Sequence, residues 1–257
     1  MKNNKLLIFT TVCLLGFCFS MAACGNQAES DSETAVVETE TQSIETEPSS
    51  EPETDIADPT LLYMGHASLR VVTGENKVIY IDPYAGDGYD LPADLILVTH
   101  DHYDHNALDL IKNRNDDCTV ITQVEALEDG SFDLGYVSVE AVEAGNNKYH
   151  STNECVGYIL TFSNGKKVYV TGDTSKTDQM AELADQNIDY AFFCCDGVYN
   201  MDLEEAAECA ELVQAEHNIP YHIVEADDPE HFDMERAEKF SPPNKLIVRP
   251  GEEITIE

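Results

Sequence analysis

The chain is poor in positive charge. Its 257 residues include 14 Lys and Arg against 50 Asp and Glu, a formal net charge of −36. A surface this acidic repels phosphate backbones and excludes DNA or RNA binding through a basic patch. It equally disfavours adhesion to anionic lipid through basic residues. The sequence also lacks any C-x-x-C pair, and beyond residue 24 it has five cysteines: Cys118, Cys155, Cys194, Cys195 and Cys209. An odd number without paired spacing argues against a disulfide framework. Cys194-Cys195 closes an apolar stretch, as buried thiols do.

The one long apolar run is Leu6–Ser20, preceded by Lys2 and Lys5. It is too short and wrongly flanked for a transmembrane helix and reads as a secretory signal over residues 1–23. The run ends in Met21-Ala22-Ala23-Cys24-Gly25, small residues before a cysteine that resemble a bacterial lipoprotein processing site. On that reading Cys24 is lipidated and the protein is exported and anchored to the outer face of the cell membrane. A plain signal cleaved nearby and a retained membrane helix are the alternatives. Residues 25–58 hold 11 acids and no base, with Ser, Thr, Glu and Pro dominant and no apolar period. Such a stretch cannot bury enough surface to offset its ordering entropy, and like charges extend it. The segment 24–58 is therefore expected to be a disordered tether. Setting aside those acids and the two leading lysines leaves 39 acids and 12 bases, so the domain 59–257 is itself acidic at −27.

That domain alternates strand and helix patterns. Short strands are expected at Leu61–Met64, Leu69–Thr73 and Lys77–Ile81. The run Asp94–Thr99 is nearly all apolar, as in a strand buried on both faces. A helix is expected over Asn106–Asn113. Further strands are expected at Thr119–Thr122, Tyr136–Val142, Gly157–Phe162, Val168–Val170, Ile188–Cys194 and Ile219–Val224. Helices are expected at 176–185, at 202–216 with Ala206, Ala210 and Val213 on one face, and at Asp233–Phe240. Lys245–Arg249 and Ile254–Ile256 close the chain as strands. Two sheets with helices on their outer faces is the layer arrangement this favours.

The chemistry concentrates where the buried strand ends. His100-Asp101-His102-Tyr103-Asp104-His105 packs three imidazoles and two carboxylates into six residues. A core cannot hold such a cluster without partners. A loop at a strand end lets His100 and His102 point one way and Asp104 and His105 another, which suits two adjacent divalent cations. Imidazole nitrogen and carboxylate oxygen favour zinc, with iron or manganese as alternatives. Gly172-Asp173-Thr174 follows a strand directly, and His222 lies in an apolar strand where a lone imidazole would be awkward.

The pattern H-x-H-x-D-H resembles the metallo-β-lactamase superfamily, and the resemblance extends over 59–257. It implies an α/β four-layer αββα sandwich with the metals at one edge of the paired sheets. Carried over residue by residue, it implies His100, His102 and His150 around a first metal, Asp104, His105 and His222 around a second, and Asp173 between them. Gly65-His66-Ala67-Ser68, Ile81-Asp82-Pro83, Val156-Gly157-Tyr158 and Gly197-Val198-Tyr199-Asn200-Met201-Asp202 make the chain similar to the ascorbate-6-phosphate lactonase and phospholipase-D-like branch. Asn106 stands where glyoxalase-II-like members carry Gly, and His105 stands where the lactamases proper lack His. The basic insert of RNA-processing members is missing.

The resemblance implies a hydrolase in which a water shared by two cations loses a proton near neutral pH and attacks a carbonyl carbon or a phosphorus. Asp104 is the candidate catalytic residue, orienting that water or shuttling its proton. Asp82 and Thr99 are candidates to fix imidazole tautomers. Tyr84, Tyr199 and Asn200 are candidates to line the pocket, and His66 either contacts substrate or braces Asp82. Few bases stand near the motifs, only Lys148, Lys176 and Arg70. That tilts the small-molecule substrate toward an ester, lactone or amide, or a phosphodiester, and away from a sugar phosphate. A metal-holding envelope lipoprotein without catalysis, and an iron-dependent redox protein, are the competing readings.

Overall fold

The computed structural model describes residues 57–223 and 231–257. The expected signal, Cys24 and nearly all of the acidic tether lie outside the described residues, as does Val224. Among the described residues no helix is long and apolar enough to cross a membrane.

Twelve strands among these residues form two mixed six-stranded sheets. The first contains β1 (Thr60–Gly65), β2 (Ser68–Val72), β3 (Val78–Ile81), β4 (Ala93–Leu97), β5 (Arg114–Ile121) and β12 (Glu253–Thr255), in the order β12-β1-β2-β3-β4-β5. The second contains β6 (Ser131–Asp133), β7 (Val137–Glu143), β8 (Val156–Phe162), β9 (Lys167–Val170), β10 (Tyr190–Cys194) and β11 (His217–Tyr221), in the order β11-β10-β9-β8-β7-β6. Each sheet begins antiparallel and turns parallel. In the first, β3, β4 and β5 are parallel neighbours; in the second, β9, β10 and β11 are. The described residues include three α-helices: α1 (Gln123–Asp129), α2 (Leu203–Val213) and α3 (Met234–Lys239).

Side-chain alternation explains the layering. Ile79, Ile81, Leu95 and Leu97 join a core shared with Tyr158, Leu160 and Val170 of the second sheet. Their neighbours Val78, Tyr80 and Ile96 point the other way into a smaller cluster with Met64 and Ile111. Strand β10 reads Tyr-Ala-Phe-Phe-Cys and is buried at every position, with α2 packed against it. The α2 N-cap is Asp202, which accepts from the Glu204 and Glu205 amides. The two sheets with their helices form the α/β sandwich that the sequence implies.

Several local expectations are corrected. The helix expected over Asn106–Asn113 shrinks to one 3₁₀ turn, Leu108–Leu110. Tertiary ties leave no room for more, because the Ala107 amide donates to Pro83 O and Arg114 already pairs with Ala93. The strand expected at Thr119–Thr122 starts five residues earlier, and α1 follows it unforeseen. Its capping box, Thr122 with Glu125, was present in the sequence. The short β6 was also unforeseen. The segment expected as a helix at 176–185 is a 3₁₀ helix, Gln179–Gln186, ended by left-handed Asn187. Lys245–Arg249 makes only an isolated bridge, Asn218 with Lys245. Pro242, Pro243 and Pro250 bracket it, and proline cannot donate to a ladder. None of the five described cysteines is in a disulfide, and all but Cys118 are buried.

Candidate metal centre

The residues that follow β3, β4, β9, β10 and β11 meet at one edge of the sandwich, outside the carboxyl ends of the parallel strands. They are Asp82, the 100–105 loop, Asp173, Asp196 and His222. Backbone bonds fix the meeting point. The His222 amide donates to His66 O, in the β1–β2 turn, at 2.9 Å, and the Val156 amide donates to Thr99 O at 3.0 Å. His66, Asp82 and His222 all have left-handed backbones, with φ of +50°, +45° and +48°. Non-glycine residues reach that region at a cost, and they hold it where surrounding structure over-determines them.

Three imidazoles form a first group. His100 Nε2 lies 2.9 Å from His102 Nδ1, and His150 Nε2 lies 3.3 Å from the same atom. His150 comes from the β7–β8 loop, which reads as polar, yet it is buried. Asn147 folds it inward: its Oδ1 accepts from the Tyr149 and His150 amides at 2.8 and 2.9 Å. A second group gathers His66, Asp104, His105 and His222, all buried, with one ligand atom from each lying within 4.8 Å of the others. Asp173 stands between. Its Oδ2 is 3.5 Å from His150 Nε2 and 4.0 Å from His100 Nε2, while its Oδ1 is 3.5 Å from His105 Nε2 and 3.4 Å from His222 Nε2. All seven residues expected from sequence are therefore brought together.

Hydrogen bonds set the tautomers. Asp82 Oδ1 accepts from the Thr99 amide at 2.8 Å, and Oδ2 accepts from Thr99 Oγ1 at 2.7 Å and from His105 Nδ1 at 2.9 Å. Thr99 Oγ1, having donated its proton, accepts from His100 Nδ1 at 3.1 Å. His100 thus turns a bare Nε2 lone pair toward the centre, and His105 points its Nε2 the same way. Asp82 and Thr99 stand at the Nδ1 atoms of His105 and His100. His66 does not brace Asp82. Its Nε2 meets Asp104 Oδ2 at 3.2 Å, and its ring lies 3.8 Å from that of His222. Tyr199 is 41% exposed and lines a cleft at the centre, but Asn200 turns away and donates to Asp196 Oδ2 at 2.6 Å. The Tyr84 ring packs edge-on against His66 and Tyr103.

The electrostatics favour positive charge at the middle. Burial pushes the Asp173 carboxyl up, but His222, His105 and His100 together hold it well below the usual carboxylate range. Burial lowers His105, yet Asp173 and Asp82 outweigh it and raise the imidazole well above its ordinary value. Burial above all depresses His100, His150 and His66, the last to about 4, so these rings are neutral and present lone pairs. Neutral His66 donates to Asp104. Burial raises the Asp104 carboxyl, but that bond and the nearby imidazoles bring it down to about 2.

Residues of this kind fit a metal. His105 Nε2, His222 Nε2 and Asp173 Oδ1 are buried without a hydrogen-bond partner although they face one another. Buried polar atoms left unpaired cost stability, and a cation held among them would satisfy all three. Imidazole and carboxylate donors without thiolate suit borderline and hard divalent ions.

Relatives share this architecture. The profile of the "Beta-lactamase superfamily domain" matches residues 60–222. A UPF0173 metal-dependent hydrolase of Nitratidesulfovibrio vulgaris strain Hildenborough is 31% identical over 233 residues, 77% of this chain and 95% of that protein. The chain belongs to the UPF0173 metal-dependent hydrolases of this superfamily. Another member, from Rubrobacter xylanophilus, is 28% identical over 76% of this chain and 95% of its own. A crystal structure from Parabacteroides distasonis is 29% identical, covers 76% of this chain and 94% of its own, and superposes with a TM-score of 0.62. This metal-dependent hydrolase thus carries a His/Asp metal site at the sheet edge.

One residue of the site escaped the sequence. Asp196, at the end of β10, is buried, and its Oδ2 lies 3.5 Å from His222 Nδ1. It is itself held by the Val198, Tyr199 and Asn200 amides and the Asn200 side chain. The available signal was a carboxylate directly after a fully apolar strand, the same signal that marked Asp173.

Proposed function

We propose that the protein hydrolyses a neutral ester, lactone or amide, with a phosphodiester as the alternative bond, using two divalent cations. His100, His102 and His150 would hold the first, Asp104, His105 and His222 the second, with Asp173 placed between them. Zinc is the metal expected, with Mn²⁺ or Fe²⁺ as substitutes. The observation that carries this reading is Asp173, whose two oxygens face imidazole nitrogens of the two groups at 3.4–3.5 Å. When bound, the cations supply Lewis acidity that lowers the pKa of water and polarises a substrate oxygen.

The chain's own residues do the rest. Asp82 holds the Nδ1 proton of His105, and through Thr99 that of His100, so that both rings stay oriented. Asp196 faces Nδ1 of His222 at 3.5 Å. Asp104, pinned by His66 and kept ionised, accepts a hydrogen bond from the attacking water and orients it toward the carbonyl. The same carboxylate is placed to relay the water's proton toward the leaving group. Tyr103, Tyr149 and Tyr199 shield the cleft, of about 330 Å³, in which this happens.

The sequence supports an exported setting for this chemistry, with the domain tethered by a lipid on Cys24 and spaced from the membrane by residues 25–58. Acidity supports a small-molecule substrate and no nucleic acid. A screen of esters, lactones, amides and phosphodiesters tests the catalytic reading. Turnover that chelator abolishes and zinc restores is expected; turnover that survives full metal removal, or none with the metals bound, contradicts it.

A further inference from the structure

Among the described residues, seven large apolar side chains are exposed: Tyr103, Leu110, Val124, Leu127, Tyr149, Val198 and Tyr199. Scattered singly they would need no explanation. Five of them, however, line two clefts that open on the His/Asp centre. Tyr103, Tyr149 and Tyr199 line one, of about 330 Å³. Val124 and Leu127, from the outer face of α1, line the other, of about 370 Å³. His102, Tyr149 and His150 border both, so the Tyr149 ring stands as a ridge between the clefts beside the expected first cation. Exposed apolar groups gathered at one place mark a binding surface, and each cleft has the size of a small-molecule subsite.

Charge narrows what fits. No Lys or Arg lines either cleft. The nearest base in sequence, Lys148, has its ammonium over the Tyr149 ring at 4.3 Å. Asp101 and Glu154 stand on the α1 side. A phosphate or carboxylate placed on the α1 side would meet Asp101 and Glu154, and the one base beside the ridge, Lys148, is already engaged with the Tyr149 ring.

We propose that the substrate is a neutral carbonyl compound with an apolar body, its two parts lying in the two clefts astride Tyr149. One part packs on the tyrosines and the other on Val124 and Leu127 of α1. This rests on the proposed function for its chemistry and adds the substrate class. An alkyl chain laid on such half-open surfaces gains part of the free energy of full burial, so each added methylene tightens binding about threefold.

The test separates the two ideas. Calorimetry on the zinc-loaded full chain would follow binding of alkan-2-ones from four to ten carbons, which cannot be hydrolysed. Ethyl esters from acetate to octanoate would be assayed in parallel. The expected result is a Kd that falls about threefold per methylene, a negative ΔCp, and at least tenfold weaker binding of the keto acid of equal length. L127S and Y199S should each flatten the series while leaving the melting temperature in place. A flat series, or a keto acid bound as tightly as its ketone, overturns the proposal. Affinity that rises with protein concentration together with a dimeric mass would assign the apolar rim to a second copy of the chain, and also overturns it. Ketones that bind with the expected slope while no ester turns over would leave the apolar site standing and defeat the hydrolase reading. Esters turned over at rates independent of chain length would do the reverse.

Discussion

The two halves of the metal centre are built differently. The second group is deep: His105 and His222 are buried, each with a carboxylate, Asp82 or Asp196, facing its Nδ1. Both carboxylates are themselves saturated with backbone and side-chain donors. The first group is shallower: His102 is exposed, and His100 is braced only through the Thr99 hydroxyl. The contrast teaches that orientation is enforced at the deep position and left adjustable at the shallow one. A cation at the deep position should therefore bind more tightly and exchange more slowly.

Four substitutions can break or sharpen that contrast. The largest effect belongs to Asp173→Ala, which removes a carboxylate whose two oxygens face both halves. Both cations should be lost and activity should fall more than about 100-fold, beyond the usual range for bracing residues. Metal analysis and kcat/KM check it. Next is Asp82→Ala, which strands the Thr99 amide, the Thr99 hydroxyl and the His105 Nδ1 proton. Affinity for the deep cation should drop about 100-fold and stability by about 3 kcal/mol, read by chelator competition and denaturant titration. Asp196→Ala should weaken the deep cation about tenfold and leave the shallow one in place; equal loosening of both in a stepwise chelator titration would erase the distinction between the halves. The smallest effect is expected of Thr99→Val, which removes the hydroxyl between Asp82 and His100. The shallow cation should weaken about threefold with the deep one unchanged in the same titration.

The legible parts of this centre were local ones. His100, His102, Asp104 and His105 share one loop, so their density in the sequence exposed them without any knowledge of the fold. Asp173 was marked by Gly172, whose φ of +62° and close approach to Val156 O leave no room for a Cβ. Asp196 carried a similar strand-end position, but the motif beginning at Gly197 drew attention to Tyr199 and Asn200 and not to the carboxylate before it. The burial of His150 depends on an Asn147 turn, which residue type alone does not announce. The strands of both sheets were largely readable because alternation and apolar runs are set by burial. The helix expected over Asn106–Asn113 failed because a long-range pairing, Ala93 with Arg114, overrode local preference. In α1 the error ran the other way, since a local capping box was present and went unread.

The account stands on two cations sharing Asp173, and metal stoichiometry tests that most directly. Elemental analysis of the purified full chain should find two divalent ions per chain in the native protein and one in His102→Ala, the shallow ion being lost. A native chain that holds a single ion, or a His102→Ala chain that still holds two, would contradict it.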